Sequence, residues 1–132
     1  MPAPSSFDYA IVRVVPDVER EEHINAGVIL HCHDRQYLAA GIELDAARLL
    51  ALAPCADLPL IRRHLATFPL IAAGGPGAGP IGQLPLRERW HWLSAPRSTI
   101  IQISTPHTGL CAEPGAWLER LLARVVRAPR RG

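Results

Sequence analysis

The sequence predicts an α+β fold, a mainly antiparallel sheet of about four to five strands with helices packed on one face, and three observations lead there. β-Branched and aromatic runs open the chain, helical periodicities follow as a group and return at the end, and neither an internal repeat nor a strand–helix alternation marks a parallel sheet. With 132 residues, 48% of them apolar and 20% charged, the chain has the size and composition of a single domain spanning 1–132.

Phe7 to Val15 carries aromatic and β-branched residues on both alternating faces, so it reads as a central strand that turns Val12 and Val14 toward the helices. Pro16 ends it, having no N–H to give a ladder. Gly27 to His33 and Tyr37 to Ile42 form two further strands around the polar break His33-Asp34-Arg35-Gln36, a hairpin pattern. Asp45 has the side chain to cap a helix running through Leu49, Leu50 and Leu52 to Pro54, and Asp57 repeats the device ahead of an apolar stripe at Leu58, Ile61, Leu65 and Phe68. Residues 73–82 are so rich in glycine and proline that they read as a long loop, fit for a flap. Leu86 to Leu93 fits strand or helix, and Thr99 to Ser104 is a β-branched strand. Pro114 opens a final helix whose wide apolar face holds Trp117, Leu118, Leu121, Leu122, Val125 and Val126. The ends, 1–6 and 128–132, are expected to be flexible.

All 14 basic residues are arginine, a bias that GC-rich coding accounts for, and the net charge of +2 gives no ground to expect a nucleic-acid partner. The basic C-terminus, Arg120, Arg124, Arg127, Arg130 and Arg131, reads as a complement to a helix dipole. No charged leader precedes an apolar run and no stretch nears the roughly 20 apolar residues of a membrane span, so a cytoplasmic location away from membranes is expected. Cys32, Cys55 and Cys111 are widely spaced in apolar surroundings, which predicts buried, reduced thiols. His31 and His33 share a strand face while Cys32 opposes them, and two ligands fall short of a zinc site, so neither metal nor cofactor is expected.

The candidate site is an anion-binding cluster. Arg97, Ser98 and Thr99 stand at the mouth of a strand, and His107 and Thr108 follow it; a guanidinium fork with hydroxyls around it suits a phosphate or carboxylate. The two groups meet only if Ser104 to His107 reverses direction. Arg13, a charge in an apolar strand, needs a partner, for which Glu22 stands nearest and Glu19 is the alternative. Asn25 ahead of Ala26-Gly27 reads as a turn residue.

Four segments, Tyr9-Ala10-Ile11-Val12-Arg13-Val14-Val15-Pro16, Arg20 to Val28, Ala78 to Gly82 with Arg89-Trp90-His91-Trp92-Leu93, and Ala95 to Thr99 running on to His107-Thr108-Gly109, occur in order over nearly the whole chain. Together they resemble the bacterial family known as domain of unknown function 3037. His23 departs from the aromatic or apolar residue expected before Ile24-Asn25. The resemblance carries over no activity and no catalytic residue; it implies a small stand-alone bacterial protein, and a partner or accessory role, since some similar proteins stand beside HipA-like kinases. Two readings follow: a non-catalytic binding or accessory module, or a small enzyme or ligand-binding protein for an anionic metabolite or nucleotide, with Arg97 on the anion and His107 as acid or base.

Overall fold

The computed structural model describes residues 3–129. Strand β1, Ser5–Val14, is followed by β2, Ile24–Cys32, and β3, Tyr37–Ile42; helices α1, Ala46–Leu52, α2, Leu58–Ala73, and α3, Leu86–Ser94, come next; then β4, Ile101–Ile103, β5, His107–Cys111, and α4, Pro114–Leu121, which runs into a π-helical turn, Leu122–Val126. The class is α+β, as the sequence predicts. Ser5 and Ser6, expected to be flexible, begin β1. The same expectation for Met1, Pro2 and 130–132 lies outside the described residues.

All five strands are antiparallel to their neighbours, in the order β3-β2-β1-β4, with β5 also on β1. The central placing of β1 agrees with its two apolar faces. One of its edges is taken by β2 from Asp8 to Val14, the other by β4 along Val12 to Val14 and by β5 along Ser5 to Tyr9. β4 and β5 therefore run in one direction along one edge. Between Val12↔Ile103 and Tyr9↔His107, β1 spends two residues and its partner three, the two-against-one arithmetic of a bulge. Ser104 closes that gap: its N–H donates to the Ile11 carbonyl (2.9 Å), and its Oγ accepts from the Ile11 N–H (2.8 Å).

Alternation along the strands makes two cores. Ala10, Val12 and Val14 of β1 join Ile29 of β2 beneath α1, α2 and α3, with Leu49, Ile61, Leu65, Phe68, Trp90 and Leu93 supplying the cover. The Asp45 and Asp57 carboxylates cap α1 and α2 through the N–H groups of Arg48 and Leu60, both at 3.1 Å, as their positions predict. α2 continues through Pro69 to Ala73 because its buried stripe reaches Ile71 and Ala72. Leu86–Ser94, ambiguous by pattern, is a helix.

The expectation that helices share one face holds for α1 to α3, whereas α4 lies on the other. Phe7, Val28, Leu30 and Cys32 give the opposite face an apolar surface of its own, and Leu121, Leu122 and Val126 bury it. Gly41 permits the approach, for a Cβ there would stand 2.6 Å from Leu122 Cδ1. The π-helical turn frees carbonyls, and side chains take them: Asn25 Nδ2 donates to Val125 O (2.9 Å), and Arg48 Nη1 to Val126 O (3.4 Å).

The glycine-rich loop contains two 3₁₀ turns, Pro76–Ala78 and Ile81–Gln83, pinned by the Gln83 amide, which donates to the carbonyls of Gly75 and Gly79. Cys32 and Cys111 are buried, but Cys55, on the α1–α2 connection, is exposed, correcting the expectation for that thiol. No helix among the described residues is long and apolar enough to cross a membrane.

Ser104→Ala leaves the Ile11 N–H unpaired in the middle of the sheet, which costs about 1–3 kcal/mol. Urea unfolding measures this; an unchanged midpoint would show that the ladder repairs itself without the hydroxyl.

Candidate functional site

The structure places the predicted site residues apart. Arg97 lies just beyond α3, where the last carbonyls of a helix have no partner within the helix. Its Nη1 donates to Leu93 O (2.8 Å) and Ala95 O (3.2 Å), and its Nη2 to Trp92 O (2.9 Å). The guanidinium also lies 4.8 Å from the Trp92 ring centroid and 5.3 Å from that of Phe68, a cation–π arrangement. Burial lowers its pKa from the ordinary value. Arg97 thus closes the end of α3. Ser98 is exposed, and Thr99 Oγ1 donates to Ile101 O (3.2 Å).

His107 and Thr108 are not loop residues but begin β5, a strand the sequence reading did not anticipate. His107 stacks on Tyr9 at 5.2 Å, and the Thr108 hydroxyl donates to Asp8 Oδ1 (2.8 Å). The chain does not reverse at Ser104-Thr105-Pro106; it bulges and continues. Five residues of β1 separate the register position of Ile101 from that of His107, about 17 Å at the usual strand rise, and Arg97 lies farther back still. The expected convergence of Arg97, Ser98 and Thr99 with His107 and Thr108 does not occur.

Nor does Arg13 pair with Glu22. Glu22 meets Arg20 at 2.5 Å in the exposed β1–β2 connection, beyond the end of β1. Arg13 instead faces α4's side of the sheet between Asn25 and Gln102, its Nε buried without a hydrogen-bond partner among the described residues. Asn25 is a strand residue beside a bulge rather than a turn residue, and its amide holds the π-helical turn.

Two of the concavities where helices overhang the sheet hold the residues of interest. The first, of about 520 Å³, is bounded by His64, Thr67 and Phe68 of α2, Trp92 of α3, and Arg97, Thr99, Ile100 and Ile101. Its walls are largely apolar, and Trp92 is 39% exposed. The second, of about 280 Å³, is polar: Ser6 and Asp8 of β1 and His31, with His33 and Asp34 beyond β2, face Arg87, Trp90 and His91 of α3. His31 is 5% exposed, stacks on Trp90 at 5.5 Å and has a buried Nε2 without a partner among the described residues. Its pKa is lowered, chiefly by burial, with Asp8 opposing and His33, His91 and Arg87 adding to the depression. Among the described residues, no group of three or more His, Cys, Asp or Glu side chains is arranged to hold a metal ion.

Strand alternation puts His31 and His33 on one face but does not by itself bring Asp8, Arg87 and His91 to them. Had 86–93 been a strand, Trp90 and His91 would point oppositely; as a helix, positions 87, 90 and 91 follow the i, i+3, i+4 rule onto one face. That spacing, set beside the alternation of 6 with 8 and of 31 with 33, was the available signal.

This architecture defines an α+β protein with a five-stranded antiparallel sheet, helices on both faces and clefts beside α3. The chain belongs to the family described as "Protein of unknown function (DUF3037)", whose family model matches residues 9–126. No curated protein and no solved structure matches it.

Two consequences can be measured. Arg97→Ala, by stripping the end of α3 of its donor fork, lowers stability by about 1–3 kcal/mol, and Arg97→Lys recovers little because an ammonium lacks the planar fork; an Arg97→Ala protein as stable to urea as the parent would remove the capping role. For His31, the pKa in the fold lies below the ordinary 6.5, so the unfolded chain binds the proton more readily. The stability tied to neutral His31 is therefore present above that value and is lost as pH falls through the lower folded one. Between about pH 7.5 and about pH 5 the parent should lose more unfolding free energy than His31→Phe, and equal losses would contradict the assignment.

Proposed function

We propose that the chain is a non-catalytic binding module that receives an apolar side chain of a partner protein in the hollow beside Trp92. The observation that carries this reading is the state of Arg97. The hollow is apolar except for its rim hydroxyls, His64 and this one guanidinium, whose Nη donors go to backbone carbonyls and whose flat face lies against Phe68 and Trp92. A cation so committed shapes a wall instead of clamping an anion. What the hollow offers an incoming group is area, aromatic surface and a fixed outline, the features of an anchor pocket at a protein interface.

The rival reading, in which Arg97 and His107 act together on an anionic metabolite, has less support, because among the described residues Arg97 lines the Trp92 hollow while His107 lies on β5 against Tyr9. The family resemblance supplies one candidate partner, a HipA-like kinase, and the proposal places its contact at the Trp92 hollow.

A displayed peptide library selected on the wild-type protein tests this. Enriched peptides should share one aromatic or aliphatic anchor, and their affinity, read by fluorescence polarisation, should fall about tenfold or more, about 1.4 kcal/mol, on Trp92→Ala and on Thr67→Trp, which fills the hollow from α2. A HipA-like kinase should compete with those peptides. Selected peptides that bind both variants as tightly as the parent, or a selection with no enrichment, would overturn the reading.

A further inference from the structure

The polar cleft is independent of the Trp92 hollow. It is assembled from the entry to β1, the exit of β2 and the first two turns of α3. The arginines nearby are committed. Arg97 and Arg89 are tied to backbone carbonyls, with Arg89 reaching Leu84, Ile71 and Ala72, and Arg35 donates to Ser5 Oγ and Ala3 O. Arg87 is different: it is exposed at the cleft and takes part in none of the ion pairs among the described residues.

His33 and His91 line the cleft with Arg87, and so does the buried ring of His31, flat against Trp90 with its Nε2 lacking a partner among the described residues. A polar atom withdrawn from water is normally paired, by protein, water or ligand. Two carboxylates also line the cleft. Asp34 is on the exposed β2–β3 turn, and Asp8, half-buried, already accepts the Thr108 hydroxyl with Oδ1, which holds its carboxylate in place as an acceptor. The cleft therefore combines donors, Arg87 foremost, with an oriented acceptor at Asp8.

We propose that this cleft binds a small hydroxylated anion, its phosphate or carboxylate group on Arg87 between His33 and His91 and its hydroxyl donating to Asp8 beside His31. Arg87 supplies a planar donor fork suited to either oxyanion. A ligand with the anion alone lacks the partner that Asp8 is positioned to bind, so the hydroxylated form binds more tightly. At about 280 Å³ the cleft is several times the roughly 30 Å³ that a water molecule occupies in the liquid, which leaves room for a ligand of a few non-hydrogen atoms.

Titrations of the full chain with inorganic phosphate, glycerol phosphate and glycerate, followed by the NMR signals of the histidine rings, decide the matter. Glycerol phosphate or glycerate should shift His31, His33 and His91 together and saturate, and the stronger of the two identifies the oxyanion. Inorganic phosphate should bind at least several-fold more weakly than glycerol phosphate. Arg87→Gln should weaken binding about tenfold or more, and Asp8→Asn should remove the preference for the hydroxylated probe. Arg124→Gln, an exposed cation on the other face of the sheet, should change nothing, and neither should Thr67→Trp, which separates this site from the peptide hollow. Ring signals unmoved by all three probes, or an Arg87→Gln protein that binds as the parent does, would overturn the proposal.

Discussion

The structure depends on β1 having both of its edges paired. A strand in the middle of a sheet can leave no N–H or C=O to water, so each register position must find a partner on each side. β2 provides one edge from Asp8 to Val14. The other is assembled from two short pieces of a single run, β4 and β5, and the joint between them falls opposite Ile11. The Ser104 hydroxyl and N–H keep the ladder closed across the extra residue. Because of that bulge the run goes straight on along β1. The Arg97 loop and the start of β5 are thereby held at separate places on the sheet.

Arginine does structural work here that lysine could not. A helix ends with carbonyls that lack partners, and a planar fork can reach two or three at once. Arg89 does this for the end of α2 and Arg97 for the end of α3, while Arg48 reaches a carbonyl freed by the π-helical turn. Arg127 joins Glu43 and Glu119 on the surface. A count of basic residues therefore overstates the positive charge available to a ligand, and Arg87 gains its interest from being left outside these contacts.

The cover on one face of the sheet shapes both clefts. α2 and α3 pack over one face and leave hollows beside α3, one toward Arg97 and one toward His31. The walls differ because the strands beneath differ. Toward Ile101 the sheet presents apolar side chains, and toward the start of β1 it presents Ser6, Asp8 and His31. A single helix carries Trp92 to the first cleft and Arg87 and His91 to the second.

Much of the fold was legible in local patterns. The central position of β1 followed from apolar residues on both of its faces, the β2–β3 hairpin from its polar break, and α1 and α2 from Asp45 and Asp57, because alternation and capping act within a few residues of chain. Family membership was also legible, in four ordered segments. The candidate site was not. β5 carries exposed His107 and Thr108 with Gly109 and lacks the apolar alternation that marks a strand; it is a strand because β1 had an open edge. Whether Arg97 clamps an anion or closes a helix turned on the state of 86–93, whose pattern fits either structure. Which side α4 covers, which carboxylate lies near which arginine, and that Asp8, His31 and Arg87 line one cleft were settled by packing. Those residues are distant in sequence, and only burial of the two sheet faces, a property of the whole chain, brings them together.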